Sequence, residues 1–289
     1  MKAWVGDGLV DLDRAVVPAD DRALTNGDGC FETLKVVDGV PFALTRHLAR
    51  LRRSCEALGI DAPEDDRLRS ACHAVVEAND RASKAAEAGP VGRVRIIVTA
   101  GRAPLGPGRP SGDDRSATGL VLLTGPPRIL GPTAAVVVGP WLRNERSPLA
   151  GVKATSYAEN AVAYRWGEAR GADEVLFANI AGELCEGTGS NVFVVVDGTL
   201  RTPPLASGCL AGVTRELVLE LAGVELAGVD QAPVPMAALA EATEAFLTSS
   251  TRDVHPVATI EGRSLPAPGP VTAEVQAAWR AMELRTFDP

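Results

Sequence analysis

The sequence predicts a mixed α/β fold, of the α+β type, that is divided into two domains. Its 289 residues are enough for two ordinary domains, each with its own core. Segments with the two-residue period of strands alternate with longer segments of helical period in both halves of the chain. A Gly- and Pro-rich segment separates the halves. We therefore expect a small N-terminal α/β domain at residues 1–124, a linker at 125–132 and a larger C-terminal domain at 133–289.

The N-terminal domain opens with patterns that are typical of antiparallel strands. Residues 31–37 alternate between apolar and polar side chains, and Asp38-Gly39 separates them from a second apolar run at 40–44. Asp-Gly between two apolar runs is a strong hairpin signal. Further strands are predicted at residues 4–5, 9–10, 93–99 and 120–123. Residues 25–29 are interpreted as a flexible loop, and residues 101–114, with four Gly and three Pro, as a long loop.

Two helices are predicted in the same domain. Thr45 is a candidate N-cap for the first, which ends before Gly59. Residues at three- and four-residue steps form its apolar stripe: Leu48, Leu51, Cys55 and Leu58. Arg46, Arg50 and Arg53 share another face, which is either a solvated basic face or an anion site that contains Arg50. The second helix is predicted at residues 64–82.

The C-terminal domain continues the alternation of strands and helices. Apolar runs bounded by turn signals such as Asp197-Gly198 predict strands at residues 134–138, 175–178, 183–186, 192–196, 245–251 and 254–260. Helical periodicity predicts helices at residues 156–170, at 213–223 and from 271 onward.

Composition excludes several classes of function. The net charge is −8 and the sequence pI is near 5.1, and no Lys/Arg cluster is interleaved with aromatic residues, which argues against binding nucleic acid or an anionic membrane. No apolar run approaches the roughly 20 residues that span a bilayer. The N-terminus turns acidic within ten residues, unlike a secretory signal. Five scattered cysteines without zinc spacing favour a reduced, cytoplasmic protein with no structural metal.

Lys153 is the residue whose chemistry stands out. Only four of the 29 basic residues are lysine, so where a cation alone is needed this chain usually has arginine. A lysine amine can lose its proton, attack a carbonyl carbon and form a Schiff base, which a guanidinium cannot do. Lys153 follows an apolar run and precedes a predicted helix, a junction where active-site residues often lie. Taken alone, it is also consistent with an ordinary surface lysine.

Two further segments complement that amine. Residues 210–214 bring a loop into a helix, where free backbone N–H groups and the positive helix end bind phosphate. The hydroxyls of residues 249–251 and the guanidinium of Arg50 would add donors, although small hydroxyl residues at helix starts are more often plain caps. Glu186 ends an apolar strand, and a buried carboxylate there would hold a proton on a heteroaromatic nitrogen. An amine, a phosphate socket and a carboxylate are the groups that pyridoxal 5′-phosphate requires.

With these motifs, the chain resembles the class IV aminotransferases, the fold-type IV pyridoxal phosphate enzymes. That family includes D-amino-acid and branched-chain aminotransferases and 4-amino-4-deoxychorismate lyase. The resemblance extends from residue 26 to residue 257 and is carried by NGDGCFET at 26–33, KATSYAEN at 153–160, EGTGSNVF at 186–193, TPPL at 202–205 and LAGVTR at 210–215. It implies a small N-terminal α/β domain, a larger C-terminal domain with a barrel-like sheet, and at least a homodimer.

The resemblance also implies roles for individual residues. Lys153 is expected to form the Schiff base and shuttle a proton, and Glu186 to pair with the pyridine nitrogen. Tyr157 is expected at the phenolic oxygen of the cofactor, although its spacing from the lysine differs by one from that in the branched-chain enzymes. The remaining cofactor-binding residues are expected to be Arg50, Asn191, Leu210, Gly212, Val213, Thr214, Ser249 and Ser250.

The substrate-binding residues depart from the family pattern. Residues 99–101 read TAG where many relatives have TRG, and Leu105 and Pro107 replace the Arg and His that trap the substrate carboxylate in D-amino-acid aminotransferases. Asn26 occupies the position of an aromatic residue before the Gly-Asp-Gly loop. Four arginines are candidates for the trap: Arg95, Arg102, Arg109 and Arg143. Asn26, Arg95 and Arg102 are taken as the substrate-binding residues.

The resulting functional hypothesis is a pyridoxal-phosphate-dependent transaminase that moves an amino group between an amino acid, with D-amino acids favoured, and a 2-oxo acid. The alternative is 4-amino-4-deoxychorismate lyase, which releases pyruvate and 4-aminobenzoate with the same lysine. A branched-chain L-amino-acid aminotransferase and a non-catalytic cofactor-binding protein are further alternatives.

Overall fold

The structure is a computed structural model that describes residues 1–86, 89–109, 118–225 and 228–289. The chain forms two compact units. Unit 1 comprises Met1–Arg128, Val152–Ser156 and Asp288, and unit 2 comprises Ile129–Gly151, Tyr157–Phe287 and Pro289. The predicted linker at 125–132 includes the residues where the chain passes from unit 1 to unit 2. No sequence signal indicated that Val152–Ser156 return to unit 1.

Unit 1 contains a six-stranded sheet in which neighbouring strands are antiparallel. Its strands are β1 (Lys2–Val5), β2 (Gly8–Asp11), β3 (Gly29–Val37), β4 (Val40–Pro41), β5 (Arg93–Thr99) and β6 (Gly119–Gly125). Their order is β2-β1-β6-β5-β3-β4. The hairpin predicted at Asp38-Gly39 is confirmed, since both residues have positive φ, at 50° and 80°. The return strand is shorter than predicted and ends at Pro41.

Three helices belong to unit 1: α1 (Arg22–Asn26), α2 (Leu44–Leu58) and α3 (Asp65–Ala85). The predicted apolar stripe of α2 is confirmed, because Leu48, Leu51 and Cys55 are fully buried in the unit 1 core. The predicted flexible loop at 25–29 is wrong in part, since its first two residues close α1 and Gly27 ends that helix at φ 67°. Part of the predicted long loop, residues 110–114, lies outside the described residues.

Thr45 is not the N-cap of α2. The helix already begins at Leu44, after Ala43 in the left-handed region at φ 53°. The carboxylate of Asp288 accepts the Thr45 backbone N–H at 2.9 Å, so an acidic side chain 243 residues away supplies the cap. Local sequence does not reveal such a long-range partner.

Unit 2 contains a curled, half-barrel sheet. Its strands are β7 (Ala134–Arg143), β8 (Glu174–Asn179), β9 (Leu184–Gly187), β10 (Asn191–Val196), β11 (Thr199–Arg201), β12 (Glu244–Ser249), β13 (Asp253–Ile260) and β14 (Arg263–Ser264). The order is β11-β10-β12-β13-β7-β8-β9, and β14 pairs with β13. The pairs β13–β7 and β7–β8 are parallel. Every residue of β8 and β10 is buried, as expected for strands covered on both faces.

The helices of unit 2 are α4 (Ala158–Glu168), α5 (Val213–Glu225) and α6 (Pro270–Glu283). The first is shorter than predicted and leaves Tyr157 at the N-cap position. In the core, the rings of Phe193 and Phe246 stack with centroids 4.7 Å apart. Among the described residues, no helix combines the length and apolarity needed to cross a membrane.

Candidate active site

Lys153 lies in a short segment that unit 1 fixes through its backbone. Phe31 donates its N–H to the Lys153 carbonyl at 3.0 Å, and Thr155 donates its N–H to the Gly29 carbonyl at 2.8 Å. Ala154 forms an antiparallel bridge with Cys30. A Cβ on Gly29 would lie 2.7 Å from the Val98 carbonyl, so this close approach requires glycine. The lysine backbone is therefore held against the first residues of β3.

The side chain of Lys153 lies over an aromatic ring. Its Nζ is 4.6 Å from the centroid of Phe31, and the guanidinium carbon of Arg95 lies 4.7 Å from the same centroid. Arg95 also donates through Nε to the Thr33 hydroxyl at 3.0 Å. Both contacts are within the distance at which a cation is attracted to a ring. The amine and a second cation thus share one ring in unit 1.

Arg50 lies in a buried charged cluster, which excludes the solvated basic face for this residue. The Glu32 carboxylate accepts bonds from Nε and Nη2 of Arg50, both at 2.7 Å, and lies 2.7 Å from Nδ1 of His47. The exposed fractions are 0% for Glu32, 5% for Arg50 and 1% for His47. We call these three residues the Glu32 cluster.

Opposing effects set the protonation of this cluster. Burial acts to raise the pKa of Glu32, but the Arg50 charge and the hydrogen bonds from Arg50 and His47 outweigh it, so that pKa falls well below the usual value. Burial lowers the pKa of His47, and the Arg50 and Lys153 charges add to this effect against the opposing charge of Glu32. The arrangement is therefore an ionised carboxylate, a guanidinium and a neutral imidazole whose Nδ1–H donates to Glu32.

Glu186 lies on β9 of unit 2, and its side chain is 16% exposed. Leu210 donates its backbone N–H to Oε2 at 2.9 Å, and Nε of Arg143 is 4.0 Å from Oε1. Arg143 is itself held over the Phe177 ring at 4.2 Å and by Asn160 at 2.8 Å. These contacts orient the carboxylate that the sequence predicts as the partner of a pyridine nitrogen.

The carbonyl of Thr188, two residues after Glu186, collects hydrogen bonds from two side chains. Tyr157 donates its hydroxyl to that carbonyl at 2.6 Å, and Asn160 donates its Nδ2 to the same atom. Burial and, after it, the Glu186 charge raise the pKa of the Tyr157 phenol, which therefore stays protonated near neutral pH. Because a phenol has one hydrogen, the remaining capacity of Tyr157 is that of an acceptor.

Three predicted residues form a continuous chain with Glu186. Asn191 donates its Nδ2 to the carbonyl of Leu210 at 2.9 Å, and Leu210 donates its N–H to Glu186. A Cβ on Gly212 would lie 1.9 Å from Oδ1 of Asn191, so only glycine fits at this position. Glu186, Leu210, Asn191 and Gly212 are thus brought together within unit 2.

The predicted phosphate-binding residues of unit 2 lie at the start of α5 and at the end of β12. Val213 and Thr214 open α5, where first-turn N–H groups have no intrahelical partner. Ser249 ends β12, which packs against α5, and its neighbour Thr248 pairs with Asn191. Within the part of the chain that the structure describes, the buried Oγ of Ser249 has no hydrogen-bond partner.

Within unit 2, these groups fit the phosphate and the pyridine nitrogen of the predicted cofactor. The Ser249 hydroxyl and the N–H groups that open α5 are suitable donors for phosphate. Glu186, oriented by the Leu210 N–H, would supply a carboxylate for the pyridine nitrogen.

The candidate substrate-binding residues differ in their surroundings. Arg102 is exposed and makes a bidentate pair with Asp20, at 2.8 and 2.9 Å. Arg109 pairs with Asp28 and also donates to the Gly59 carbonyl. Asn26 is exposed and donates to the Gly106 carbonyl at 3.4 Å. Arg95 is the candidate that shares the Phe31 ring with Lys153.

The sequence missed several residues around the predicted site. Glu32 lies in an alternating strand pattern, which usually places a polar residue in solvent, but the first four residues of β3 are all buried. The available signal was the spacing of His47 and Arg50, which puts both on one helical face. Thr188 and Asn160 lie within the quoted motifs, but the sequence assigned them no role, because their roles depend on contacts distant in sequence.

Comparison with known proteins identifies similar chains. The family model described as amino-transferase class IV matches residues 29–260. The bifunctional aminodeoxychorismate lyase / D-amino acid transaminase of Mycobacterium tuberculosis is 32% identical over 272 residues, which cover 86% of this chain and 87% of that protein. The D-alanine aminotransferase of Bacillus licheniformis is 28% identical over 285 residues, covering 96% and 95% of the two chains.

A solved structure shows the same fold. The branched-chain amino acid aminotransferase of Escherichia coli superposes with a TM-score of 0.86 at 25% sequence identity, and the match covers 97% of this chain and 93% of that one. This similarity confirms the fold class that the sequence predicts.

Proposed function

The chain belongs to the class IV aminotransferase family, and from this premise we propose that it is a pyridoxal-phosphate-dependent transaminase acting on D-amino acids and 2-oxo acids. The family comprises pyridoxal-phosphate-dependent transaminases and aminodeoxychorismate lyases. The observation that carries the proposal is the placement of Lys153, whose backbone is fixed against β3 and whose amine shares the Phe31 ring with a second cation.

Bound pyridoxal phosphate supplies an electrophilic aldehyde carbon and a ring that accepts electrons from the substrate carbon. In this proposal Lys153 would hold the cofactor through its amine. Its Nζ would also carry the proton that leaves the substrate Cα.

Glu186 and the phosphate-binding residues would hold the cofactor. Glu186, oriented by the Leu210 N–H, would keep a proton on the pyridine nitrogen. Arg50, Gly212, Val213, Thr214, Ser249 and Ser250 would bind the phosphate, and Leu210 and Asn191 would support the ring. Tyr157 would lie beside the phenolic oxygen of the cofactor.

Arg95 is the residue we assign to the substrate carboxylate. Arg102 and Arg109 are each paired with an Asp carboxylate, and Arg143 is held beside Glu186 and Asn160. Arg95 lies over the Phe31 ring, and the Lys153 amine lies over the same ring. A guanidinium there would hold a carboxylate by a charge-assisted bond while the amine reaches the neighbouring Cα.

The lyase is the second candidate function. It is favoured by the similarity to the bifunctional lyase and transaminase of Mycobacterium tuberculosis. The same lysine would remove the Cα proton, and pyruvate and 4-aminobenzoate would be released instead of an amino group being transferred.

Two assays with purified protein and pyridoxal phosphate test the proposal. D-Alanine with 2-oxoglutarate should give glutamate, and Lys153→Ala should lower that rate by roughly 10³-fold or more and remove the visible band of the lysine-linked cofactor. Lys35→Ala is the matched control, since Lys35 also lies over a ring, 4.7 Å from the centroid of Phe42, and should retain activity. Pyruvate release from aminodeoxychorismate without amino transfer would identify the lyase instead.

A further inference from the structure

Asp28 is the carboxylate at which two arginines of unit 1 meet. Its Oδ2 accepts from Nε of Arg22 at 2.7 Å and from Nε of Arg109 at 2.8 Å, and its Oδ1 accepts from Nη2 of Arg109. Burial acts to raise the pKa of Asp28, but the hydrogen bonds from Arg109 and Arg22 outweigh it, so that pKa lies below its usual value. Asp28 is therefore an ionised acceptor near neutral pH, held by charge-assisted bonds from two side chains.

The two arginines connect Asp28 to other segments of unit 1. Arg22 is 4% exposed and donates to three successive carbonyls, those of residues 106–108, at 3.2, 3.0 and 2.9 Å. Two of these residues are glycines, which restrict the backbone little, so the bonds to Arg22 hold the segment. Arg109 donates to the carbonyl of Gly59, just after α2, at 2.8 Å. The Asp28 carboxylate thus joins three segments that are far apart in the sequence.

The glycines on either side of this carboxylate hold the residues that follow Lys153. Ser156 donates its hydroxyl to the Gly27 carbonyl at 2.9 Å, and the Thr155 hydroxyl donates to the same oxygen at 2.8 Å. Thr155 also donates its backbone N–H to the Gly29 carbonyl at 2.8 Å. A Cβ on Gly27 would lie 2.5 Å from Oγ of Ser156, so this close approach requires glycine.

We propose that Asp28 is a positioning residue for Lys153: its carboxylate, fixed by Arg22 and Arg109, holds the segment 27–29, and that segment holds the backbone from which the lysine side chain extends. This inference rests on the proposed function, since it takes Lys153 as the reactive amine. All the contacts that carry it lie within unit 1.

A positioning role and a purely structural role predict different patterns of backbone opening. If Asp28 only stabilised unit 1, its loss would make the whole unit open more often. If it holds the segment 27–29, its loss should loosen that segment and the residues bonded to it, while the rest of the sheet keeps its stability. Amide hydrogen exchange resolves such local openings.

The first experiment measures amide exchange of the purified full-length protein without added cofactor, so its result does not depend on any reaction. Asp28→Asn keeps the shape of the side chain but removes its charge, and the Thr155 amide should exchange roughly tenfold faster. The amides that pair β1 with β6 should exchange as in the wild type.

The second experiment measures steady-state kinetics with pyridoxal phosphate, D-alanine and 2-oxoglutarate. Asp28→Asn should lower kcat by roughly tenfold and change KM by less than about twofold, because the amine is displaced while substrate binding is kept. Thr155→Val removes the hydroxyl bonded to Gly27 and should also lower kcat. The double variant should lose little more than the larger single loss, because both substitutions act through the segment 27–29.

Asp65→Asn is the matched control. Asp65 pairs at 3.0 Å with Arg52, also in unit 1, and its loss should leave Thr155 exchange and kcat unchanged. If Asp28→Asn does not fold, Arg109→Gln takes its place. This substitution removes one of the two arginines that hold the carboxylate and should speed Thr155 exchange by about threefold.

Three results would overturn the inference: unchanged exchange at Thr155, equal acceleration throughout unit 1, or a rise in KM with kcat unchanged. Each leaves the proposed function standing if the wild-type protein binds the cofactor through Lys153 and transfers the amino group. A wild-type protein that does neither would instead refute the proposed function, whatever its exchange rates.

Discussion

Each unit contains a buried carboxylate near predicted site residues, but the two are satisfied by different kinds of donor. Glu32 of unit 1 accepts from a guanidinium and an imidazole. Glu174 of unit 2 accepts from the Thr188 N–H and hydroxyl and from the Ser190 hydroxyl at 2.9 Å. Arg252 is 3.6 Å from Glu174. One carboxylate fixes a charged side chain, and the other fixes a turn of backbone.

The difference shows how each unit controls a predicted cofactor contact. Glu32 fixes the plane of the Arg50 guanidinium through two hydrogen bonds, so its influence should appear first in the stability of unit 1. Glu174 determines where the Thr188 carbonyl lies, and that atom accepts from Tyr157 and Asn160 just after Glu186. Its influence should therefore appear in the rate of reaction, which is sensitive to displacements near 1 Å.

The largest expected effect is on the free energy of unfolding. It tests whether losing the partner of a charged donor costs more than losing the partner of neutral donors. Glu32→Ala should destabilise unit 1 by about 3–5 kcal/mol, because it leaves the Arg50 charge buried and unpaired. Glu174→Ala should cost about 1–3 kcal/mol, since it mainly leaves neutral donors unsatisfied. Urea denaturation followed by circular dichroism measures both. A larger loss for Glu174→Ala would mean that Arg252, and not the neutral donors, is its main partner.

A smaller substitution tests the role of the hydrogen bond from Thr188 to Glu174. Thr188→Val removes the hydroxyl donated to Glu174 and should cost about 1 kcal/mol of stability, with roughly a tenfold fall in transaminase rate as the carbonyl shifts. Thr202→Val is the matched control, because Thr202 is also fully buried and donates its hydroxyl to the Val192 carbonyl at 2.8 Å. It should lose similar stability and keep its rate. Equal rates for both variants would contradict the assignment to Thr188.

For each buried carboxylate, the sequence predicted site residues nearby but did not predict the carboxylate itself. Arg50, Tyr157, Glu186 and Lys153 were found because their residue types and the flanking motifs carry recognisable chemistry. Glu32 and Glu174 were not, because a carboxylate in an apolar strand has the same sequence pattern whether it is solvated or buried. Burial depends on what covers the strand, and those residues lie far away in the chain. The cap that Asp288 gives to α2 is hidden for the same reason.

The fold, too, could be predicted only in part from the sequence. Strand and helix periods located most elements because one face of each is buried in its unit core. Element ends were less predictable: β7 extends to Arg143, five residues beyond its apolar run, and α2 starts after the left-handed Ala43. The return of Val152–Ser156 to unit 1 depends on backbone bonds to β3, which leave no side-chain pattern.

Acidification tests the neutral histidine in the Glu32 cluster. Because burial lowers the pKa of His47 below its ordinary 6.5, the unfolded chain binds a proton near pH 6 that the folded chain does not. Stability should therefore fall as the pH drops below about 6.5, and Glu32, whose pKa is depressed, adds to the loss only below about 4.5. The fall in thermal midpoint from pH 7.5 to 5.5 should be smaller in His47→Leu. His73→Gln, at an exposed histidine of α3, should fall as the wild type does.

The smallest effect belongs to an ion pair outside both clusters. Arg52 and Asp65 are 3.0 Å apart, with 52% and 32% of their side chains exposed. Water and salt screen such a pair, so Asp65→Asn should change the free energy of unfolding by about 0.5 kcal/mol or less, and by less still in 0.5 M salt. Arg52 and Arg50 are both arginines of α2. A comparison of the stability that their two ion pairs contribute therefore separates the effect of burial from that of residue type. A loss of several kcal/mol at this surface pair would show that enclosure is not what makes the Glu32–Arg50 contact consequential.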